Sequence, residues 1–429
     1  MREMKESGID WIGKIPENWK IGKVKDIFVR KNEKANNENP TVLSLARSGV
    51  KIRDISTGEG QLAESYNNYN PVEIGDLLLN PMDLYSGANC SVSKVKGVIS
   101  PAYINLRAKG KNNSTYYDYY FKTQYWGMTL FAHGKGVSFD NRWTLGLDTA
   151  LNYFIPIPTE PEQGKIAEFL DKKITEIDNV IEKTKETIED YKKYKTSIIT
   201  KVVTKGVKKP NTQKRMKNCD EEISIDFDIT KLKKICRING RIGFRGYTQA
   251  DLVSEGEGAI TLSPSNFNEM KMNYEKCSYL TWEKYEESPE IQINNNDILF
   301  VKTGSSYGKS CLVRDLPMEA TINPQMIVLK NISINVEYLQ YYLQSNVLSI
   351  QVERSVVGGT IPTIAQEKIG NYLIIVPSIK EQNDIVNYLN EKCNEINQLI
   401  NLKLKTIEEL EEYKKSLIYE YVTGKKEVV

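Results

Sequence analysis

The chain is poor in the residues that metal and nucleophile chemistry most often use. It has one histidine, His133, and six scattered cysteines, Cys90, Cys219, Cys236, Cys277, Cys311 and Cys393. None forms a CxxC pair, and a zinc site needs clustered Cys and His ligands, so structural zinc is excluded and no disulfide framework is expected. A histidine-based catalytic triad could use only His133, and nothing around it suggests one. No run approaches the ~20 apolar residues that span a membrane. The start, MREMKESGIDWIGKIP, lacks the apolar core of a signal peptide, which leads us to expect a cytoplasmic protein without membrane contact. Charge of one sign is missing too: 58 basic and 56 acidic residues give a net charge of +2, so nucleic-acid binding would need basic groups gathered on one face.

Motifs for common chemistries are incomplete. GSSYGKS (304–310) ends like a phosphate-binding loop, but Gly304 and Gly308 enclose three residues instead of four, and CLVRDL after it reads as a strand where a helix is needed. NPMD (80–83) lacks the aromatic of an amino-methyltransferase motif, and no Gly-rich cofactor loop precedes it. No acidic cluster with a lysine suits a metal nuclease. The expected chain is non-catalytic, binding neither cofactor nor metal.

What is present is a duplication. Residues 158–204 and 377–423 align without a gap at an offset of 219, with 18 of 47 positions identical, among them Glu162/Glu381, Gln163/Gln382, Tyr194/Tyr413 and Val203/Val422. Each copy has an apolar stripe at three- and four-residue steps: Leu170, Ile174, Ile177, Ile181 and Ile188 in one, Leu389, Ile396, Ile400, Ile407 and Leu410 in the other. Such spacing predicts a long helix with a coiled-coil seam. About 40 residues at 1.5 Å each give ~60 Å. A single stripe must be buried, and the other copy is the economical partner.

Two segments of about 155 residues, 1–158 and 222–376, precede the helices and read as mixed α/β. GDLLLNP (75–81) resembles NDILFVK (296–302), each a buried strand after a polar turn; Ile99-Ser100-Pro101 resembles Ile322-Asn323-Pro324; HGKGVSF (133–139) and VGGTIPT (357–363) are both Gly-containing loops before the helix. The predicted fold class is α+β, with two similar mixed α/β domains separated by two long antiparallel helices forming a coiled-coil spacer with a pseudo-twofold repeat. The boundaries are 1–158, helix 159–204, basic linker 205–221, 222–376, and helix 377–424.

Over nearly its whole length this pattern resembles the specificity subunit of Type I restriction-modification systems. The opening KESGIDWIGKIPENWKIGKVKDIF, GFRGYTQADLVSEGEGAITLSPSNF (243–267) and the Glu162-Gln163 and Glu381-Gln382 helix starts carry the likeness; the second domain departs in keeping only DFDITKLKKI of the usual start. The resemblance implies that each globular segment is a target recognition domain reading half of a bipartite DNA sequence. It implies that the helices set the unread gap and dock two methyltransferase subunits, which use S-adenosylmethionine. Motor-nuclease subunits using ATP and Mg would complete the assembly. A coiled-coil scaffold with two adhesive domains and no DNA function stays open as the alternative.

Major-groove edges are read by Arg, Lys, Asn, Gln and Ser/Thr, while phosphate contacts hold register. In the first domain, Arg47, Asn80, Asp83, Tyr85 and Ser86 are candidates for the groove, and Lys94, Lys96, Lys135, Ser138, Asn141 and Arg142 for phosphate or base. In the second, the candidates are Ser263, Ser265, Asn266, Lys302, Thr303, Ser305, Ser306, Tyr307, Lys309, Arg354, Thr360 and Thr363.

Overall fold

After Gly164 neither copy of the repeat contains Pro or Gly before its end, and both form single long helices, Glu160–Lys205 and Ile379–Val422. Each ends on a glycine in the left-handed region, Gly206 (φ 78°) and Gly424 (φ 71°), the conformation that stops helices with least strain. The computed structural model describes residues 2–37, 40–56, 63–82, 84–85, 89–137, 143–208, 213–215, 222–359 and 361–428. No helix among them is long and apolar enough to cross a membrane. The chain divides into two units: residues 1–184 with 405–429, and residues 185–404.

In unit 1, strand β1 (Lys20–Lys23) leads through helix α1 (Val24–Ile27) into β2 (Phe28–Lys31). There follow β3 (Leu43–Ala46), β4 (Gly49–Ile52), β5 (Asn70–Val72), β6 (Leu77–Leu79), β7 (Cys90–Val92), β8 (Gly97–Ile99) and β9 (Ile104–Ala108). The central antiparallel sheet has the order β2-β9-β6-β7. Helix α2 (Ser114–Trp126) is capped by Asn113, whose side chain accepts from the amides of Thr115 and Tyr116. Strand β10 (Phe154–Ile157) pairs antiparallel with β1. The core gathers Trp19, Phe28, Leu77, Tyr116, Tyr117 and Tyr120 with Leu170, Ile174, Ile177 and Ile181 of the first long helix and Leu417, Ile418 and Val422 of the second. The helices run antiparallel here: the Phe169 and Tyr421 rings lie 4.5 Å apart, and Lys414 pairs with Asp178.

Unit 2 repeats this plan. Among its strands are β11 (Asp228–Lys231), β12 (Arg237–Gly240), β13 (Gly258–Leu262), β14 (Ser278–Thr281), β15 (Ile298–Val301), β16 (Ser310–Leu312), β17 (Ala320–Ile322), β18 (Met326–Lys330) and β19 (Leu373–Val376). Its central sheet, β12-β18-β15-β16, matches that of unit 1 strand for strand. β11 pairs with β19 as β1 does with β10, so DITK takes the place of KIGK although the preceding start signature is missing. Helices α3 (Val336–Tyr342) and α4 (Asn346–Glu353) cover it. Where unit 1 has the β3–β4 hairpin, unit 2 has a four-stranded sheet built on β13, with β13 and β17 parallel. Ile199, Val202 and Val203 of the first long helix join Ile385, Val386 and Leu389 of the second in its core. Ile188, Ile396 and Ile400 are buried as well, and in unit 1 Ile407 and Leu410 are partly buried.

The Glu-Gln pair at each helix start has a specific task. Gln163 accepts from the Asn113 amide (2.8 Å) and donates to the Pro158 carbonyl (3.0 Å). Gln382 does the same with Asn335 (2.9 Å) and Pro377 (2.8 Å). Both glutamines are buried, so each latches the cap of the covering helix to the start of the long one. A tyrosine one turn later adds a second link: Tyr119 donates to Asp171 and Tyr341 to Asn390, each at 2.7 Å.

Candidate nucleic-acid interface

In each unit a central strand ends in a polar loop that is tied to the Gly-containing loop before the long helix. In unit 1 the Leu145 amide donates to the Pro81 carbonyl (2.8 Å), Leu84 to Trp143 (3.1 Å), and Lys135 and Thr144 exchange both backbone bonds. In unit 2 Ile364 donates to Lys302 (2.8 Å), Gly304 to Pro362 (3.0 Å), and Val357 and Thr363 exchange both. Leu145 and Ile364, and Thr144 and Thr363, are separated by the repeat offset of 219. The two loop pairs are therefore one piece of architecture built twice.

Unit 2 gathers most of its candidates. Lys302 and Thr303 both donate backbone N–H to Gln325, Asn323 donates to Leu262, and the Ser263 and Ser265 hydroxyls lie 2.6 Å apart. Lys302, Thr303, Ser305, Ser306, Tyr307 and Lys309 thus share one end of the sheet with Ser263, Ser265 and Thr363. Ser265, Ser305 and Lys309 are exposed, as is Arg354 after α4. Burial holds the half-buried Lys302 ammonium below the usual lysine range, and among the described residues it has no ion-pair partner. Such a cation gains from an incoming acceptor. After Lys309 the chain enters β16, a strand, as the sequence indicated when it excluded a phosphate-binding loop.

Asn266 is a correction. It is buried, its carbonyl oxygen accepts from the Ser263 amide, and its NH2 donates to the carbonyls of Asn273 and Lys276. Its polar atoms are used up in holding its own turn. Sequence reasoning also missed Arg241, Asn323 and Gln325. Arg241 is buried, donates to the Ile322 carbonyl and the Thr321 hydroxyl, and lies 5.2 Å from the Tyr247 ring; burial lowers its pKa. It stiffens the β17 end from behind. The signal for Asn323 was the Ile-Asn-Pro fragment, noted as a repeat but not as a site.

Unit 1 gathers fewer candidates. Asn80 donates its amide to Asn89, whose side chain donates to the Ala46 carbonyl beside the exposed Arg47 at the β3–β4 turn. The Asn80 side chain accepts from the Met82 amide, and Tyr85 is 61% exposed. Arg47, Asn80, Tyr85 and Lys135 therefore belong to one surface. Lys94 and Lys96 do not. They follow β7 at its far end, where Gly75 donates to Ser93 and Lys96 pairs with Glu73. The four residue steps from Asp76 to Asn80, along β6, separate the two ends by about 13 Å. Asp83, Ser86, Ser138, Asn141, Arg142 and Thr360 lie outside the described residues.

His133 sits in an aromatic cluster, 4.7 Å from the Trp11 ring and 5.4 Å from Tyr153. Among the described residues no group of three or more His, Cys, Asp and Glu could hold a metal ion. The assembled surfaces offer hydroxyls, amides and cations on rigid strand ends, a set suited to base edges and phosphates.

Comparison with known proteins agrees with this construction. Residues 226–409 match the family model described as the Type I restriction modification DNA specificity domain. The Type I restriction enzyme MjaVIII specificity subunit of Methanocaldococcus jannaschii is 23% identical over 430 residues, covering 96% of this chain and 94% of the relative. The Type I restriction enzyme EcoBI specificity subunit of Escherichia coli is 22% identical, covering 90% and 81%. A chain from a solved structure described as the structural basis underlying complex assembly and conformational transition of the type I R-M system superposes with a TM-score of 0.67 at 15% identity. That match covers 95% of this chain and 98% of the other. With the domain match over residues 226–409, the likeness to curated relatives along nearly the whole chain and the twice-built fold in agreement, the chain is similar from end to end to the specificity subunits of Type I restriction-modification systems.

Proposed function

We propose that this chain reads a bipartite duplex DNA target, one half-site per unit, and contributes no catalytic group of its own. The observation that carries this reading is the loop pair repeated at an offset of 219 on matching sheets, with different side chains in the two copies. A fixed scaffold with exchangeable loops is what two different half-sites require. Lys302, Lys309, Lys135 and Arg47 are the cations placed for phosphate or guanine; Ser263, Ser265, Ser305, Ser306, Thr303, Thr363 and Asn80 offer hydroxyl and amide groups to base edges. The long helices set the unread gap between half-sites.

Two methyltransferase subunits would dock on the helices, bringing S-adenosylmethionine and adenine N6 methylation; motor-nuclease subunits would bring ATP and Mg. A duplicated apolar pair supports two copies of one partner. Val180 and Tyr413 are exposed in unit 1, beside the Asp178–Lys414 link; Leu399 and Tyr194, their repeat equivalents, are exposed in unit 2, beside the Lys195–Asn397 bond. The test is modified-base sequencing of a methylation-free host expressing this chain with the methyltransferase encoded beside it. A new bipartite adenine-methylated motif, absent without this chain, is expected. A soluble, associated complex that leaves no motif would return the chain to the scaffold reading.

A further inference from the structure

The turn between β17 and β18 holds a side-chain amide at the sheet end that carries the Lys302–Lys309 loop. Its backbone is firmly tied. The Asn323 amide donates to Leu262 (2.9 Å), Met326 donates to the Asn323 carbonyl (3.2 Å), and the Gln325 carbonyl accepts from Lys302 (2.9 Å) and Thr303 (3.2 Å). Behind the turn, the buried Arg241 guanidinium donates to the Ile322 carbonyl. Two further bonds fix the side chains. The Gln325 backbone N–H donates to Asn323 Oδ1 (3.1 Å), and Asn323 Nδ2 donates to Gln325 Oε1 (3.2 Å). A backbone N–H can only donate, so Asn323 must turn its oxygen to it and its NH2 to Gln325, which sets the orientation of the Gln325 amide as well. Gln325 is exposed, and among the described residues its Nε2 has no hydrogen-bond partner. A glutamine amide holds two donors and two acceptor sites. One acceptor site is used, which leaves an N–H and the second Oε1 lone pair side by side.

Unit 1 builds the same turn without the amides. Ile99-Ser100-Pro101-Ala102 stands where unit 2 has Ile322-Asn323-Pro324-Gln325. Ala102 donates its N–H to Ser100 Oγ (3.4 Å), as Gln325 does to Asn323, and Tyr103 donates to the Ser100 carbonyl (3.1 Å), as Met326 does to that of Asn323. Both turns lead into the strand beside the loop-bearing one: Ile104 pairs with Leu79, and Met326 with Val301. The turn therefore needs a side-chain oxygen at its first residue. It needs neither the Asn323 NH2 nor the Gln325 side chain.

We propose that Gln325 reads one A·T pair in the half-site of unit 2 through the major groove, with Asn323 as its positioning residue. The inference rests on the DNA-reading function. Adenine presents an amino donor beside the N7 acceptor, the complement of one free oxygen lone pair and one N–H. Guanine presents two acceptors and would set O6 against Oε1; cytosine and thymine each engage only one of the two groups. The Ala102 side chain can make no such contact, so the two half-sites differ at this reading by construction.

The test uses the complex assembled with methyltransferase subunits. Modified-base sequencing compares the motif methylated with the unaltered chain and with Gln325→Ala, a change at an exposed position. One A·T pair in the half-site read by residues 222–376, other than the methylated one, is expected to become degenerate, with every other position retained. On duplexes, that adenine is replaced by 7-deazaadenine, which lacks the N7 acceptor, or by purine, which lacks the amino group. Each should weaken binding of the unaltered complex about tenfold and leave the Gln325→Ala complex unaffected. Asn323→Ser supplies the oxygen that unit 1 uses and removes the NH2. It should lower the preference for adenine at that position about fivefold while hydrogen exchange in unit 2 stays the same. An adenine preference that Asn323→Ser leaves unchanged overturns the positioning role. An unrelaxed motif overturns the inference, as do relaxation at a G·C pair, analogues without effect, or a loss of affinity equal for all sequences, which would make Gln325 a phosphate contact. These outcomes leave the DNA-reading function standing. A soluble complex of the unaltered chain that leaves no motif removes both.

Discussion

The two units solve one packing problem with different chemistry beneath the same sheet. Unit 1 buries Asp118 against Lys122 and beside Cys90; unit 2 places Gln340 against the Ser310 carbonyl at the matching positions. The latch glutamines, the capping asparagines and the β1–β10 and β11–β19 registers are the same in both. The shared features satisfy backbone groups at the helix starts, whereas the interior polar groups are bonded differently in each unit and leave Asp118 Oδ1 and Gln340 Oε1 unpaired. The difference teaches which parts of the scaffold are free to drift.

Three pairs of substitutions would break or sharpen that comparison. The largest effect is expected from Val422→Asp and Val203→Asp, equivalent residues that are both fully buried at the ends of the long helices. An unpaired buried carboxylate costs upward of about 4 kcal/mol. Hydrogen exchange should show Val422→Asp opening unit 1 and Val203→Asp opening unit 2; if either opens both equally, the units are one cooperative body.

Next is Lys122→Met. Desolvation raises the Asp118 pKa, and Lys122 partly offsets it; Asp171 pushes the same way as burial. A carboxyl with a folded pKa above its unfolded value holds its proton more tightly when folded, so it weakens the fold as pH climbs from the ordinary carboxylate range through the raised value. Removing Lys122 should raise that pKa further and cost unit 1 about 3 kcal/mol at neutral pH, with recovery in acid. Gln344→Met in unit 2 should show no such pH dependence in denaturant titrations. A pH-independent loss from Lys122→Met would mean that packing, not charge, sets its role.

The smallest is the latch. Gln163→Ala and Gln382→Ala should each cost about 2 kcal/mol, because each strands a backbone N–H and a C=O. Gln163 also donates to Asn112 at 3.2 Å, so its loss should be slightly the greater by thermal or denaturant unfolding. Equal and negligible losses would show that water replaces the latch.

The repeat, the helices and the paired buried strands were legible because a periodic apolar stripe reports burial directly. The stripe misled only at the helix ends. The stripe read from the sequence stops at Ile188; beyond it Ile199, Val202 and Val203 are buried and Ile198 partly so, because there the helix packs against a globular domain. The Tyr119–Asp171 and Tyr341–Asn390 links were not legible, since the acceptors differ and lie about 50 residues away. Site residues were legible as loops and not as individuals. Lys94 follows a strand, but whether it lies with Asn80 depends on which end of the sheet the turn occupies. Asn266 looks like any polar loop residue until its bonds are traced.

The last turns of the second long helix supply Leu417, Ile418 and Val422 to the core of unit 1. Unit 2 is contiguous in sequence and unit 1 is not. On a ribosome, domains ordinarily fold in the order they emerge. Here the segment that emerges first must wait, its tyrosine-rich core open along one side, until residues 405–422 have been made. Unit 2 can close while its predecessor is still unfinished. A chain so arranged folds its middle before its beginning, and the open face of unit 1 is where chaperones or premature partners would meet it.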